Sequence, residues 1–94
     1  MSRNLSPEEI ENALSELSGW KVEDQKLVKT FERLDFADAV SFIVALGFVC
    51  EKHDHHPELS NVWNKVTLEI TTHDAGNQLT EKDFALAKGI DAVA

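Results

Sequence analysis

The segment Glu51-Lys52-His53-Asp54-His55-His56-Pro57 gathers three of the chain's four histidines and two carboxylates into seven residues. Imidazole is the side chain whose unperturbed pKa lies in the physiological range, so such a cluster suits proton transfer, metal binding or a pH switch. Pro57 disfavours helical backbone at His56, so the chain leaves any preceding helix extended where His55 and His56 are presented. Two or more imidazoles could then flank one small molecule as acid and base. A metal site is the rival, since His53, Asp54, His55, His56 and His73 are all ligand types. Neighbours in an extended segment point to opposite sides, however, so His55 and His56 are poorly placed to share one ion. The single cysteine, Cys50, and the lack of a His-Glu-x-x-His helix also weigh against it. A plainer reading has His53 ending a helix, where a cation meets the negative end of the dipole, with His55 and His56 in a loop. That suffices for His53 but not for three imidazoles collected at the mouth of one hairpin. No nucleophile is implied, because Cys50 falls in an apolar stripe and no serine lies in an elbow pattern. What remains is acid–base chemistry on a neutral or weakly polar small molecule, with Trp63 available to wall it.

The elements that must position these groups can be read from period and caps. Ser6-Pro7-Glu8-Glu9 starts a first helix as a capping box with proline at the first position, Ile10, Ala13, Leu14 and Leu17 share its face, and Gly19 supplies its stop. Trp20 to Val22 and Lys26 to Arg33 form a hairpin around Asp24-Gln25. Asp35 caps a second helix that runs to about Lys52. Phe36, Ala39, Val40, Ile43, Leu46, Gly47 and Cys50 make one stripe of it, and Phe42, Ala45, Phe48 and Val49 make another. This helix is apolar over more of its circumference than one sheet can cover, so the second stripe is expected to meet a second copy of the chain, where a charge at Phe42 would break the contact. Leu59 to Trp63 and Val66 to Thr72 read as strands joined by Asn64-Lys65. Trp63 then faces Val66, Asn61 faces Leu68 and Leu59 faces Ile70, which sets His56 near His73. Regular pairing stops before the histidines, because Pro57 cannot donate to a ladder. Thr80-Glu81-Lys82-Asp83 caps a third helix, with Phe84, Ala87, Lys88 and Ile90 to Val93 behind it.

Ninety-four residues support one domain, residues 1–94, with little surplus for a second. A net charge of −8, from 9 basic against 17 acidic residues, argues against nucleic-acid binding, which needs a basic face. One cysteine forms no internal disulfide, and the start Met-Ser-Arg-Asn-Leu-Ser-Pro lacks the apolar core of a signal peptide, so a cytoplasmic protein is expected. The longest apolar run, Ala39 to Cys50, is too short to span a bilayer.

The pattern Glu51-x-x-x-His55-His56-Pro57 followed by Trp63, His73 and Asp83 resembles the pterin-4a-carbinolamine dehydratase family, also known as dimerisation cofactors of a homeodomain transcription factor. The resemblance covers most of the chain, including Asp-His-His-Pro-Glu, Asn-Val-Trp-Asn-Lys-Val and Thr-His-Asp, and departs from the family at Trp63, where tyrosine is frequent. It implies an α+β fold in the order α-β-β-α-β-β-α, with a four-stranded antiparallel sheet and three helices packed on one face. It also implies subunits that pair through sheet edges, and dimers that join through the central helix into tetramers. The implied activity is dehydration of 4a-hydroxytetrahydropterin to quinonoid dihydropterin, which regenerates the cofactor of aromatic amino-acid hydroxylases. Pterin is the substrate, and no metal or organic cofactor is implied. Carried over residue by residue, His55, His56 and His73 form the catalytic and substrate-contacting set, with His55 and His73 for proton transfer and His56 positioning the pterin. Asp54 and Asp83 orient an imidazole, although Asp83 also stands where a capping-box acid would stand. Glu51 accepts the donor-rich edge of the pterin, Pro57 presents the histidine pair and Trp63 packs. Two other functions fit the family or the residues: a non-catalytic protein-binding dimerisation cofactor, and a histidine metal-binding protein.

Overall fold

A computed structural model describes residues 3–94; Met1 and Ser2 lie outside it. Helix α1 spans Pro7–Leu14, strands β1 and β2 span Lys21–Glu23 and Lys26–Glu32, and helix α2 spans Phe36–His53. Strands β3 (Glu58–Val62) and β4 (Lys65–Ile70), a short 3-10 turn (His73–Ala75) and helix α3 (Glu81–Val93) complete the chain. The sheet is antiparallel throughout, in the order β1-β2-β4-β3, so the second hairpin enters beside β2 with β4 inside and β3 at the edge.

The caps form as the sequence predicts. The Ser6 hydroxyl accepts from the Glu9 amide, the Glu9 carboxylate accepts from the Ser6 amide, and Arg3 clamps that carboxylate with two bonds of 2.8 and 2.7 Å. Asp35 accepts from the Asp38 amide at 2.8 Å and starts α2. Asp24 and Gln25 both take positive φ, the geometry that closes a two-residue hairpin with the twist of its strands.

In three places the structure departs from the sequence reading. Helix α1 ends at Leu14, ahead of Gly19, because the Ser15 hydroxyl donates to the Asn12 carbonyl and the chain continues in tighter turns. Gly19, at φ +82°, then reverses the chain into β1. The second hairpin turns on Trp63-Asn64 rather than Asn64-Lys65, so Leu59 pairs with Leu68 and Asn61 with Val66. Asn64 decides this: it is buried, its amide donates to the Arg33 carbonyl at 2.9 Å, and its own carbonyl accepts from the Arg33 amide at 2.7 Å, which pins the turn to the end of β2. The shift is even, so every side chain keeps its face of the sheet.

The third departure concerns α2. Leu27 and Phe31 of β2 and Val66, Leu68 and Ile70 of β4 face the helices and meet Ala39, Phe42, Leu46 and Cys50 of α2 and Leu86, Ala87 and Ile90 of α3. Phe42, expected at an interface between copies, is 2% exposed and packs on Phe31 with ring centroids 4.8 Å apart. The stripe left outside is Phe36, Val40, Val44 and Phe48, the last 74% exposed. Roughly a third of a turn round the helix separates the two readings, and a helix apolar nearly all round gives its phase only through what packs on it. Helix α3 approaches α2 closely at Gly89, where an added Cβ would meet Val49 at 2.8 Å and His53 at 3.0 Å. His53 is the last residue of α2, as the plainer reading of it has it, and is exposed beside Gly89.

Candidate active site

Helix α2 ends sharply. Asp54 takes φ +50°, its amide donates to the Glu51 carbonyl at 3.1 Å, and the His55 amide donates to the Cys50 carbonyl at 3.2 Å. A left-handed residue followed by such bonds satisfies the last free carbonyls of the helix and redirects the chain. His55, His56 and Pro57 then run extended into β3. They line an open pocket of about 500 Å³ together with Asp54, Glu58, Thr72, His73, Asp74 and Lys82.

The most constrained group in this pocket is His55, whose side chain is 11% exposed and whose Nε2 lies 2.6 Å from Asp83 Oδ1. Asp83 is fully buried. Its other oxygen, Oδ2, accepts from the Thr80 amide at 2.8 Å, closing the capping box of α3, and from the Thr72 hydroxyl at 2.8 Å. Thr72 and Thr80 hydroxyls are themselves 2.8 Å apart. A buried carboxylate needs its oxygens met by donors, and here a backbone amide, a hydroxyl, an imidazole and the positive end of a helix stand around it. Because a carboxylate only accepts, His55 donates through Nε2, which leaves the Nδ1 lone pair free to take a proton. One oxygen of Asp83 thus makes the cap and the other the bond to His55.

His73 opens the 3-10 turn, exposed, with Nδ1 2.7 Å from the Asn77 amide oxygen. That oxygen accepts, so Nδ1 is the donor and Nε2 is the free nitrogen. Asn77 reaches this position at φ +59°, following Gly76 at φ +79°. His56 is more exposed than His55: its Nε2 lies 3.7 Å from Glu51 Oε1, and both of those side chains are mostly exposed. Glu51 stands at the rim through this contact and does not line the pocket. Asp54 and Pro57 do line it. Trp63 does not, since it occupies the turn at the far end of β3, 66% exposed. Among the described residues, no group of three or more His, Cys, Asp and Glu side chains converges as a metal site would require.

Sequence reasoning passed over Thr72, Asn77, Glu58, Asp74 and Lys82. Strand alternation from Ile70 places Thr72 on the helix-facing side and could have found it; nothing local marked Asn77 as the partner of His73. Glu58 carries a carboxyl held below its ordinary range by the Lys26 ammonium, 2.8 Å away.

Set beside known proteins, this arrangement has a clear kinship. The family model described as pterin 4 alpha carbinolamine dehydratase matches residues 3–93. A Roseiflexus sp. (strain RS-1) protein provisionally named pterin-4-alpha-carbinolamine dehydratase is 45% identical, with 99% of each chain covered. One of the same provisional name from Solibacter usitatus is 44% identical over all of this chain and 98% of its own. A solved structure, described as a transcriptional coactivator/pterin dehydratase from Brucella Melitensis, superposes with a TM-score of 0.92 at 34% identity, covering 98% of this chain and 99% of that one. The fold is that of a small α+β class whose members compared above carry dehydratase names. The chain belongs to the pterin-4a-carbinolamine dehydratase family.

Proposed function

We propose that the chain is a hydro-lyase that converts a 4a-hydroxytetrahydropterin to quinonoid dihydropterin and water. In this reaction the C4a–O bond breaks, the N5–H proton leaves, and the freed electron pair forms the C4a=N5 bond. One proton must be delivered to the departing hydroxyl and one removed from N5, so the reaction is balanced by an acid and a base with no redox partner. His55 and His73 serve as that pair, each with one ring nitrogen tied to an acceptor and the other available to the substrate. His56 and Glu51 hold the pterin's polar edge at the rim, and Asp83 is a positioning residue that acts through His55. The observation that carries this reading is the 2.6 Å bond from His55 to a buried carboxylate at the wall of a pocket that also presents His73. By supplying quinonoid product for reduction, the reaction recycles the cofactor of aromatic hydroxylases.

The test is stopped-flow dehydration of 4a-hydroxytetrahydropterin by purified protein in excess chelator. His55→Ala and His73→Ala should each lower kcat by roughly 10²–10⁴-fold, the usual contribution of a positioned acid or base. Activity that disappears with chelation and returns with zinc, or wild-type rates in both variants, would overturn the proposal.

A second reading, a protein-binding role, is favoured by the exposed stripe Phe36, Val40, Val44 and Phe48 on α2. A second copy of the chain is the occupant that reading implies here, giving a homo-oligomer that uses α2 and the sheet edge. Among the described residues no helix is long and apolar enough to cross a membrane.

A further inference from the structure

We infer that Lys26, which lies outside the pocket, is a positioning residue of the site: by holding the Glu58 carboxylate on the sheet it keeps that carboxylate off His73, whose Nε2 then stays open to the substrate. Its effect on catalysis rests on the pterin reading above, whereas the hold on Glu58 rests on charge and register alone.

Glu58 opens β3 directly after His55-His56-Pro57 and lines the pocket, as does His73 shortly past the end of β4. In the ladder Glu58 stands opposite Glu69, and like charges so placed repel each other. Lys26 answers both carboxylates: its Nζ lies 2.8 Å from Glu58 Oε1 and 3.6 Å from Glu69 Oε1. It reaches them from the start of β2, on the other side of β4. The Thr71 hydroxyl donates to the neighbouring Gln25 carbonyl at 3.0 Å, so this end of β2 is tied to the chain that leads into His73. The Lys26 side chain is half-buried, while that of Glu58 is exposed and turns freely once released. Lys21, the next lysine on this face of the sheet, is 3.5 Å from Glu23 and does not take the place of Lys26.

Bonding to Lys26 is the first cause that holds the Glu58 carboxyl below its ordinary range, and the charge of His73 acts on it in the same direction. A carboxylate released from Lys26 is therefore pushed by Glu69 and drawn by His73. The other charged or titratable groups at this mouth are Asp54, His55 and His56 just past or at the end of α2, Asp74 beside His73, and Lys82 of α3. His55 is bound to Asp83 and His56 lies beside Glu51. Among the described residues that leaves His73 and Lys82 without an ion-paired carboxylate, and His73 is the one whose charge reaches Glu58. One ring nitrogen of His73 is already committed, because Nδ1 donates to Asn77 at 2.7 Å. A freed Glu58 would take the other, Nε2, as a donor. That capture removes the nitrogen the substrate needs and favours the imidazolium over the neutral ring.

The test compares Lys26→Met, Lys26→Arg and the double variant Lys26→Met/Glu58→Gln in stopped-flow dehydration. Lys26→Met should lower kcat about tenfold, on the lower side of what a misdirected acid or base forfeits. It should also move the limb of the pH–rate profile set by His73 to higher pH by about half a unit, the worth of one charge a few ångströms away in water. Lys26→Arg keeps the cation and should retain most of kcat. The double variant removes the freed carboxylate and should recover kcat to within about threefold of wild type, a coupling that loss of structure alone does not produce. Wild-type kcat and pH profile in Lys26→Met, or a double variant no better than Lys26→Met, overturns the inference, while an active wild-type enzyme leaves the dehydratase reading standing. If wild-type protein has no dehydratase activity, that reading fails, and NMR titration of the imidazoles judges the hold on Glu58 by itself. The His73 signal, assigned by its loss in His73→Ala, should titrate at higher pH in Lys26→Met than in wild type and return in the double variant. A His73 midpoint that Lys26→Met leaves in place overturns the hold.

Discussion

Asp83 shows how one residue ties a helix start to a histidine of the proposed site. Its Oδ2 belongs to the start of α3 and its Oδ1 to His55, so the helix cap fixes the imidazole directly. Removing the carboxylate leaves the Thr80 amide and the His55 N–H unsatisfied and takes one acceptor from the Thr72 hydroxyl. Asp83→Ala should therefore destabilise the chain by roughly 2–5 kcal/mol, at about 1–3 kcal/mol for each buried donor left unsatisfied, as read by urea unfolding. Asp83→Asn keeps the shape, but its amide cannot accept at both ends as a carboxylate does. It should fold with a smaller loss of stability and still lose at least about tenfold in kcat, on the lower side of what a misplaced acid or base forfeits. Thr72→Val removes one donor to Asp83 and should lose about 1 kcal/mol, the net worth of a typical hydrogen bond. Equal stability in Asp83→Ala and wild type would mean that the network carries little energy.

At the scale of elements, α2 is where the structure changes an expectation most. Phe42 and Phe48 differ by six positions, and the buried side of the helix takes the first and leaves the second outside. Phe42→Ala should destabilise the monomer by about 3–5 kcal/mol, as large-to-small changes in a packed core do. Phe48→Asp should leave helix content unchanged and dissociate any assembly through α2, because an unpaired charge is costly to desolvate in such a contact. Circular dichroism and light scattering on the same samples separate the outcomes. An assembly that survives Phe48→Asp would place the contact elsewhere.

For the whole molecule, the carboxylates that hold its parts together set its response to acid. Glu9 is drawn from its ordinary 4.5 to about 2, first by its bonds to Arg3 and then by the Ser6 amide. Glu16 is lowered by Lys88, Asp38 by the Leu34 amide and then Arg33, and Glu58 by Lys26. Each has a lower pKa folded than unfolded, so the unfolded chain binds more protons between the two values and stability falls as pH falls. The contribution of Glu9 is fully present above 4.5 and is lost as pH drops through about 2. Thermal melts should therefore show Tm decreasing from pH 4.5 toward 2, and Arg3→Gln should reduce the decrease at the acidic end of that window by letting Glu9 protonate earlier. A Tm that is flat or rising across this range would contradict the sign. These pairs are exposed, so raised salt should shrink the effect.

The element order, the caps at Ser6, Asp35 and Thr80, the Asp24-Gln25 turn and the His55-His56-Pro57 presentation could all be read from the sequence, because each depends on residues within a few positions of one another. The even phase of the strands was legible for the same reason, which is why a hairpin register displaced by two still put Leu68 and Ile70 inside. Three things were settled only in the folded chain. The turn moved to Trp63-Asn64 because Asn64 found Arg33, which lies on a different strand. The stripe of α2 that stays outside was chosen by Phe31 and its neighbours, since a helix apolar on most sides has no preferred face of its own. The Asp83 to His55 bond joins a helix start to a loop 28 residues earlier, and its Thr72 donor comes from the chain just past β4. Local sequence fixes backbone conformation through sterics and short-range hydrogen bonds; which distant donor meets which buried acceptor is decided when the sheet and helices close over a shared core.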